Sequence, residues 1–231
     1  MKKLLLIWTV VACVMPAQGW AAPGAYYLPP DSDDFRAILG DPPAKNSEET
    51  RREIDIVLRE QSRRTPADLD RIQAEAQRMV VAFAEVLGPK LTARDLPLTF
   101  ALIKNVGSDT GDRIDESKLV WNRSRPYEDD PRVKPSIPPA AGSSYPAAKA
   151  VSAWIYAVVL GELFPEKRSA LLARGWLIAW GRVMAGLHYP SDAAAAIKLG
   201  DYYAQRLLAS PAFRADLAKA REECQRVFAQ P

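Results

Sequence analysis

The chain has 231 residues, enough for one domain with a substantial core, and its 48% hydrophobic and 26% charged residues exclude disorder as the default state. Net charge is +3, but Lys2 and Lys3 precede every acid, and the chain beyond residue 21 carries 29 basic and 28 acidic groups. That balance argues against a nucleic-acid partner, which needs a clustered basic footprint.

The first element is "MKKLLLIWTVVACVMPAQGWAA". Two lysines, an apolar run from Leu4 to about Val14 and small residues at Gly19, Ala21 and Ala22 predict a secretory signal peptide over 1–21, cleaved after Ala21 or Ala22. The run is too short to span a bilayer comfortably. "VVAC" offers an alternative, a lipoprotein signal with Cys13 as the lipidated N-terminus. With Cys13 removed, Cys224 is alone and no intrachain disulfide can form, so an exported, periplasmic protein would depend on its core for stability. Residues 22–46, with "YYLPPDSDD", read as an extended arm, and 47–231 as a single all-α domain.

No stretch alternates apolar and polar residues long enough for a sheet. Helical patterns run from Ser47 to Arg63, with Glu48 and Glu49 where the helix dipole favours acids, and from Thr65 to Gly88. In the second, Thr65 caps, Pro66 fits the first helical position and Asp68 completes a capping pattern. Shorter helices are expected over Thr92–Val106 and Asp112–Trp121. A loop with five prolines, Pro126 to Gly142, interrupts them, because proline lacks the donor a helix needs. Helices resume over Ala147–Leu163, Glu166–Leu187, Pro190–Leu208 and from Pro211, capped by Ser210, to about Phe228. No segment beyond the signal offers the ~20 apolar residues of a transmembrane helix.

His188 is the only histidine, in "WGRVMAGLHYPSDAAAA". Pro190 places it on a turn and puts Asp192 in the first turn of the next helix, with Arg182 six residues upstream. A carboxylate there can accept from one ring nitrogen and leave the other as a lone-pair donor. In "KLVWNRSRP", Lys118 and Arg125 are seven apart with Arg123 between them, a spacing that lets two cations converge on one anion if the segment is helical. Taken singly, each stretch also reads as an ordinary feature: a surface histidine beside an acid, and a solvated basic helix end. The same holds for "GSSYPAAKA" at 142–150, a helix start or the wall of an anion pocket.

Together, Lys-x6-Arg-Pro, a Ser-Tyr-Pro helix start and Arg-x5-His-x3-Asp resemble the phosphatidic-acid-phosphatase type 2 and haloperoxidase superfamily. The chain is most similar in pattern to the bacterial class A non-specific acid phosphatases, from "YYLPP" to "SPAFRADLAKAREE". The resemblance implies an all-α, exported hydrolase of small phosphate esters needing no metal or cofactor. It implies His188 as a nucleophile that becomes phosphorylated and Asp192 as the residue holding its tautomer. Lys118, Arg125 and Arg182 would bind the phosphate oxygens, with backbone amides at Ala147 and Ala148.

The family's Pro-Ser-Gly-His element stands here as Pro146, Ala147, Ala148 and Lys149, and a family serine is Gly181. The missing histidine is the family's general acid, a contribution of about 10²–10⁴-fold. Lys149 can take over as proton donor, serve as a fourth phosphate-binding cation, or face solvent in a degenerate site. The readings are therefore a hydrolase with an altered acid and, alternatively, a phosphate-binding pseudophosphatase. Haloperoxidase chemistry, which uses the same missing histidine, is disfavoured. A purely structural role would leave the site residues without a purpose. A homo-oligomer is left open.

Overall fold

The computed structural model describes residues 25–29, 32–139 and 141–229; the predicted signal peptide and Cys13 lie outside them. Among the described residues the fold is all-α, with ten α-helices and no strand. They are α1 (Phe35–Leu39), α2 (Glu48–Arg63), α3 (Pro66–Gln77), α4 (Ala84–Leu87), α5 (Pro97–Ser117), α6 (Pro126–Asp129), α7 (Ala148–Leu163), α8 (Arg168–Met184), α9 (Pro190–Ala209) and α10 (Pro211–Phe228). No described helix is long and apolar enough to cross a membrane.

The caps act where the sequence puts them. Ser47 Oγ accepts from Thr50 N at 3.1 Å, Thr65 and Asp68 exchange bonds as a capping box, and Ser210 Oγ accepts from Phe213 N. α5 has no side-chain cap of its own. Glu223 of α10 supplies one instead, accepting from Leu98 N at 2.8 Å and Thr99 N at 2.9 Å, where the dipole favours a carboxylate.

α7 forms the centre. From Ala150 to Gly161 it carries no charge, and Val151, Ile155, Val159 and Leu160 are buried. α8 and α9 reach it through glycines: a Cβ on Gly175 would stand 2.7 Å from Ala157 Cβ, and one on Gly200 2.8 Å from Trp154 Cδ1. This close approach sets the distance between the end of α8, the start of α9 and the start of α7, the three places that build the site. The N-terminal segment docks through two acids. Asp109 accepts the backbone N–H groups of Tyr26, Tyr27 and Leu28, while Asp33 meets Arg113, Arg206, Tyr202 and Tyr203.

Several boundaries differ from the periodicity. The Thr65–Gly88 helix breaks after Gln77, and a 3₁₀ turn at Val80–Phe83 leads into α4. The two short helices expected between 92 and 121 are one, α5, running through Gly107 and Gly111. Burial of Val106, Thr110 and Ile114 overrides the weak helix propensity of those glycines. α8 ends at Met184 rather than Leu187, the 22–46 arm contains α1, and the proline loop contains α6.

Gly175→Val tests the close approach. Overpacking against Ala157 is expected to cost about 1–3 kcal/mol. In thermal unfolding this appears as a Tm lower by about 2–4 °C per kcal/mol; an unchanged Tm would show that α8 does not need the contact.

Candidate active site

The site grows from the turn between α8 and α9. Gly186 takes φ 76°, a left-handed conformation that releases the chain from α8, and Cβ at that position would press on Val133 Cγ1 at 3.0 Å. Two residues later His188 sits on the turn, buried, and Asp192 occupies the first turn of α9, as its spacing implied. Asp192 Oδ2 accepts from Tyr189 N at 2.8 Å and from the Ser144 hydroxyl at 2.5 Å.

The imidazole has a defined tautomer. Nδ1 lies 2.8 Å from the Ser144 carbonyl oxygen and 3.4 Å from Asp192 Oδ2. A carbonyl can only accept, so Nδ1 carries the hydrogen. Nε2 lies 3.1 Å from Arg125 Nη1, and a guanidinium can only donate, so Nε2 presents its lone pair. Ser144, which the sequence pattern held only as the first residue of Ser-Tyr-Pro, thus contacts the ring through its carbonyl and Asp192 through its hydroxyl. Burial pushes the His188 pKa down from 6.5 to about 4, against the pull of Asp192 and with the push of Arg125 and Arg182. The ring is therefore neutral through most of the acid range.

Lys118 and Arg125 do converge, though not on a helix. α5 ends at Ser117, and 121–125 is irregular backbone, so the seven-residue spacing works by a different geometry than helical periodicity. Both side chains close on the 141–146 stretch. Lys118 Nζ donates to the Ser143 carbonyl and, at 3.3 Å, to that of Pro146. Arg125 donates to the carbonyls of Gly142 and Leu187 at 3.2 and 3.1 Å. Burial, then the charge of Arg125, brings the Lys118 pKa down to about 8.

Arg182, near the end of α8, is 5% exposed, and its buried Nε has no hydrogen-bond partner among the described residues. Burial lowers its pKa to about 10, with Glu75 pulling it up and Arg125 pushing it down. A buried cation without a full set of acceptors is costly unless an anion completes it. This is the arrangement an anion-binding pocket requires.

The third stretch is only partly as expected. Ala147 N donates to the Asp192 carbonyl at 3.2 Å, so this amide is occupied in joining α7 to α9 and is not free for a ligand. Ala148 opens α7, where first-turn amides have no intrahelical acceptor. Lys149 follows it, and its Nζ donates to the Ala76 carbonyl in the last turn of α3 at 3.2 Å. Partial burial and the charge of Arg182 hold it below the ordinary lysine pKa. Its ammonium is thus within electrostatic reach of Arg182, but it is exposed and tied to α3. At Gly181, a Cβ would come 3.3 Å from Glu75 Oε2, so the space of a side chain there is shared with a buried carboxylate.

Arg123, noticed in the sequence only as lying between two cations, bridges Asp192 Oδ1 at 2.5 Å and Glu53 Oε2 at 2.7 Å. A cleft of about 630 Å³, lined by Arg36, Lys45, Trp121 and Asp129, reaches Arg123 and Ser143 without being lined by His188. Among the described residues no three His, Cys, Asp or Glu side chains gather in a way that could hold a metal.

Comparison with known proteins shows the family. The PAP2 superfamily matches residues 97–213, from the start of α5 into α10, a span that encloses Lys118, Arg125, Lys149, Arg182, His188 and Asp192. A non-specific acid phosphatase of Providencia stuartii is 30% identical over 96% of this chain and 98% of its own length. A non-specific acid phosphatase of Salmonella typhimurium is 32% identical over 61% of this chain and 58% of its own. An acid phosphatase of Zymomonas mobilis is 29% identical, over 62% and 56%. With half of its length matched and a relative similar almost from end to end, the chain belongs to the PAP2 superfamily.

Proposed function

We propose that this chain is an exported, acid phosphatase-like hydrolase of phosphate esters in which His188 is the nucleophile. The observation that carries the reading is the neutral imidazole whose Nε2 lone pair faces Arg125, with the buried, incompletely satisfied Arg182 within electrostatic reach. Lys118, Arg125, Arg182 and the Ala148 amide take the phosphate oxygens. An oxygen that accepts from Arg125 draws its Nη1 away from Nε2 and frees the lone pair.

Nε2 then bonds to phosphorus as the ester P–O bond breaks, and that electron pair leaves on the departing oxygen. Positive charge developing on the ring is stabilised by Asp192 beside Nδ1, and charge on the phosphoryl oxygens by the three cations. In the second half, water attacks phosphorus, the P–N bond breaks, and its electron pair returns to Nε2. The departing oxygen needs a proton in the first half and the water must lose one in the second. Lys149 is the residue proposed to give and then take it.

The bond from Lys149 to Ala76 favours a weak donor, and in the limit a phosphate-binding pseudophosphatase. Leaving groups that need little protonation then dominate. Aryl phosphate hydrolysis is expected to exceed alkyl phosphate hydrolysis by about 10²-fold or more. His188→Ala abolishes both activities, and Lys149→Ala lowers the alkyl rate while sparing the aryl one. Equal aryl and alkyl rates would refute the weakened acid, and an unchanged alkyl rate in Lys149→Ala would make that lysine a bystander. Absence of turnover with intact binding of inorganic phosphate would select the pseudophosphatase.

The pH dependence follows from the same groups. Protonated His188 cannot attack, so kcat/KM is expected to fall below pH about 4, and phosphate binding to weaken above pH about 8 as Lys118 loses its charge. Between about 4 and 6.5 only the unfolded chain holds the His188 proton, so through this group stability falls as pH drops across that window. Thermal melts of wild type and His188→Gln should therefore diverge in favour of the variant on acidification. Parallel curves would place the His188 pKa near its ordinary value. Export is tested by N-terminal sequencing of the periplasmic fraction, with residue 22 or 23 expected first.

A further inference from the structure

Asp192 is the acid that the proposed reaction relies on, yet its carboxylate faces more than the imidazole. Oδ2 receives the Ser144 hydroxyl and Tyr189 N–H, while Oδ1 receives Arg123 Nη1 at 2.5 Å. The Arg123 side chain is 7% exposed. Its Nη1 also donates to Ser191 Oγ at 2.7 Å, its Nη2 to Glu53 Oε2 at 2.7 Å, and its guanidinium lies 4.1 Å from the Tyr189 ring centroid. Glu53, on α2, is fixed in turn by Ser191 N at 2.6 Å and Ser191 Oγ at 2.9 Å. The backbone joins the same assembly, since Ser144 N donates to the Arg123 carbonyl at 2.9 Å. Ser144 is the residue whose carbonyl holds His188 Nδ1.

From this continuous chain of contacts, Glu53–Arg123–Asp192–His188, we infer that Arg123 and Glu53 are positioning residues that set the protonation of the His188–Asp192 pair. The inference rests on the reading of His188 as nucleophile. Arg123 keeps Asp192 ionised and holds its second oxygen beside Nδ1, and Glu53 moderates how much of the Arg123 charge Asp192 feels. The other charged groups facing the pair are Lys118, Arg125 and Arg182, all cations; Glu75 offsets Arg182 and Asp115 offsets Lys118, while Glu53 offsets Arg123 from the α2 side. Tyr145 and Tyr189 lie within electrostatic reach of Asp192, but their hydroxyls donate to the Gly40 carbonyl and to Asp129, and burial keeps both from ionising in the working range. Because the imidazole and carboxylate interact, they take up their first acid proton as a pair. Either destination disables the site, since imidazolium cannot attack and a neutral Asp192 cannot stabilise the charged ring.

His188 being the only histidine makes the test direct. In the untagged, exported chain, NMR titration of the single imidazole reads the pair without assignment and without turnover. Arg123→Gln is expected to move its midpoint up by about one pH unit, because an opposing charge beside the carboxylate is lost. The acid limb of kcat/KM moves with it, while binding of inorganic phosphate at neutral pH stays near that of wild type. Arg123→Lys keeps the charge and returns most of the shift. Glu53→Gln leaves Arg123 to Asp192 alone and moves the midpoint in the opposite direction, downward. A role limited to holding the fold together predicts no such opposed pair of shifts. An unchanged midpoint in Arg123→Gln, or an upward or absent shift in Glu53→Gln, would overturn the inference. Glu53→Gln and Arg123→Lys decide the matter alone if Arg123→Gln does not fold. Failure of the nucleophile reading is separate, and shows as full turnover by His188→Ala.

Discussion

The hydrogen-bonded position of His188 constrains the rest of the site. Its ring lies between a group that can only accept, the Ser144 carbonyl, and one that can only donate, Arg125 Nη1. One tautomer satisfies both, and in that tautomer Nε2 offers its lone pair. Everything that brings these groups together is backbone packing. Ser144 precedes α7, Arg125 precedes α6, and His188 joins α8 to α9. The approach of α8 and α9 to α7 is set by the missing side chains of Gly175 and Gly200. The polar site is thus as exact as the apolar core behind it.

Partner type separates the buried arginines into two kinds. Arg113 meets Asp33, Arg174 meets Glu75 and Arg123 meets Glu53 and Asp192. Each of these charges is compensated by protein and belongs to the scaffold or to the positioning of the acid. Arg125 is held by carbonyls and the imidazole, and Arg182 leaves its Nε without an acceptor among the described residues. Carbonyl dipoles orient a guanidinium without cancelling its charge. A concentration of positive potential therefore remains beside a neutral imidazole, which suits a phosphate dianion better than a neutral ligand. The proposed phosphate-binding role of Lys118, Arg125 and Arg182 follows from this difference in partners.

The departure at 147–149 has a structural counterpart. Ala147 uses its amide to tie α7 to α9, and Lys149 reaches back to the end of α3, where carbonyls at a helix C-terminus attract a cation. The lysine is accordingly part of the α3–α7 junction as well as the proposed proton donor, and these two demands oppose each other.

Much of the helical framework was legible because caps and periodicity act within a few residues. Ser47, Thr65 and Ser210 mark helix starts by bonding to amides three positions on, and Pro190 places His188 on a turn through its immediate neighbour. The spacing of Lys118, Arg125, Arg182, His188 and Asp192 likewise singled out the residues proposed to form the site, although not the geometry by which Lys118 meets Arg125. The break after Gln77 and the continuity of α5 through Gly107 were not legible, since burial against distant helices outweighed local preference. Nor was the partner of Arg123, because Glu53 lies 70 residues away and Asp192 69 residues away. By itself the sequence determined an all-α chain and pointed to the residues proposed to carry the chemistry. Only the tertiary structure decided the His188 tautomer, the Arg182 donor left unfilled among the described residues and the direction of Lys149, because each depends on hydrogen-bond partners that folding brings from remote parts of the chain.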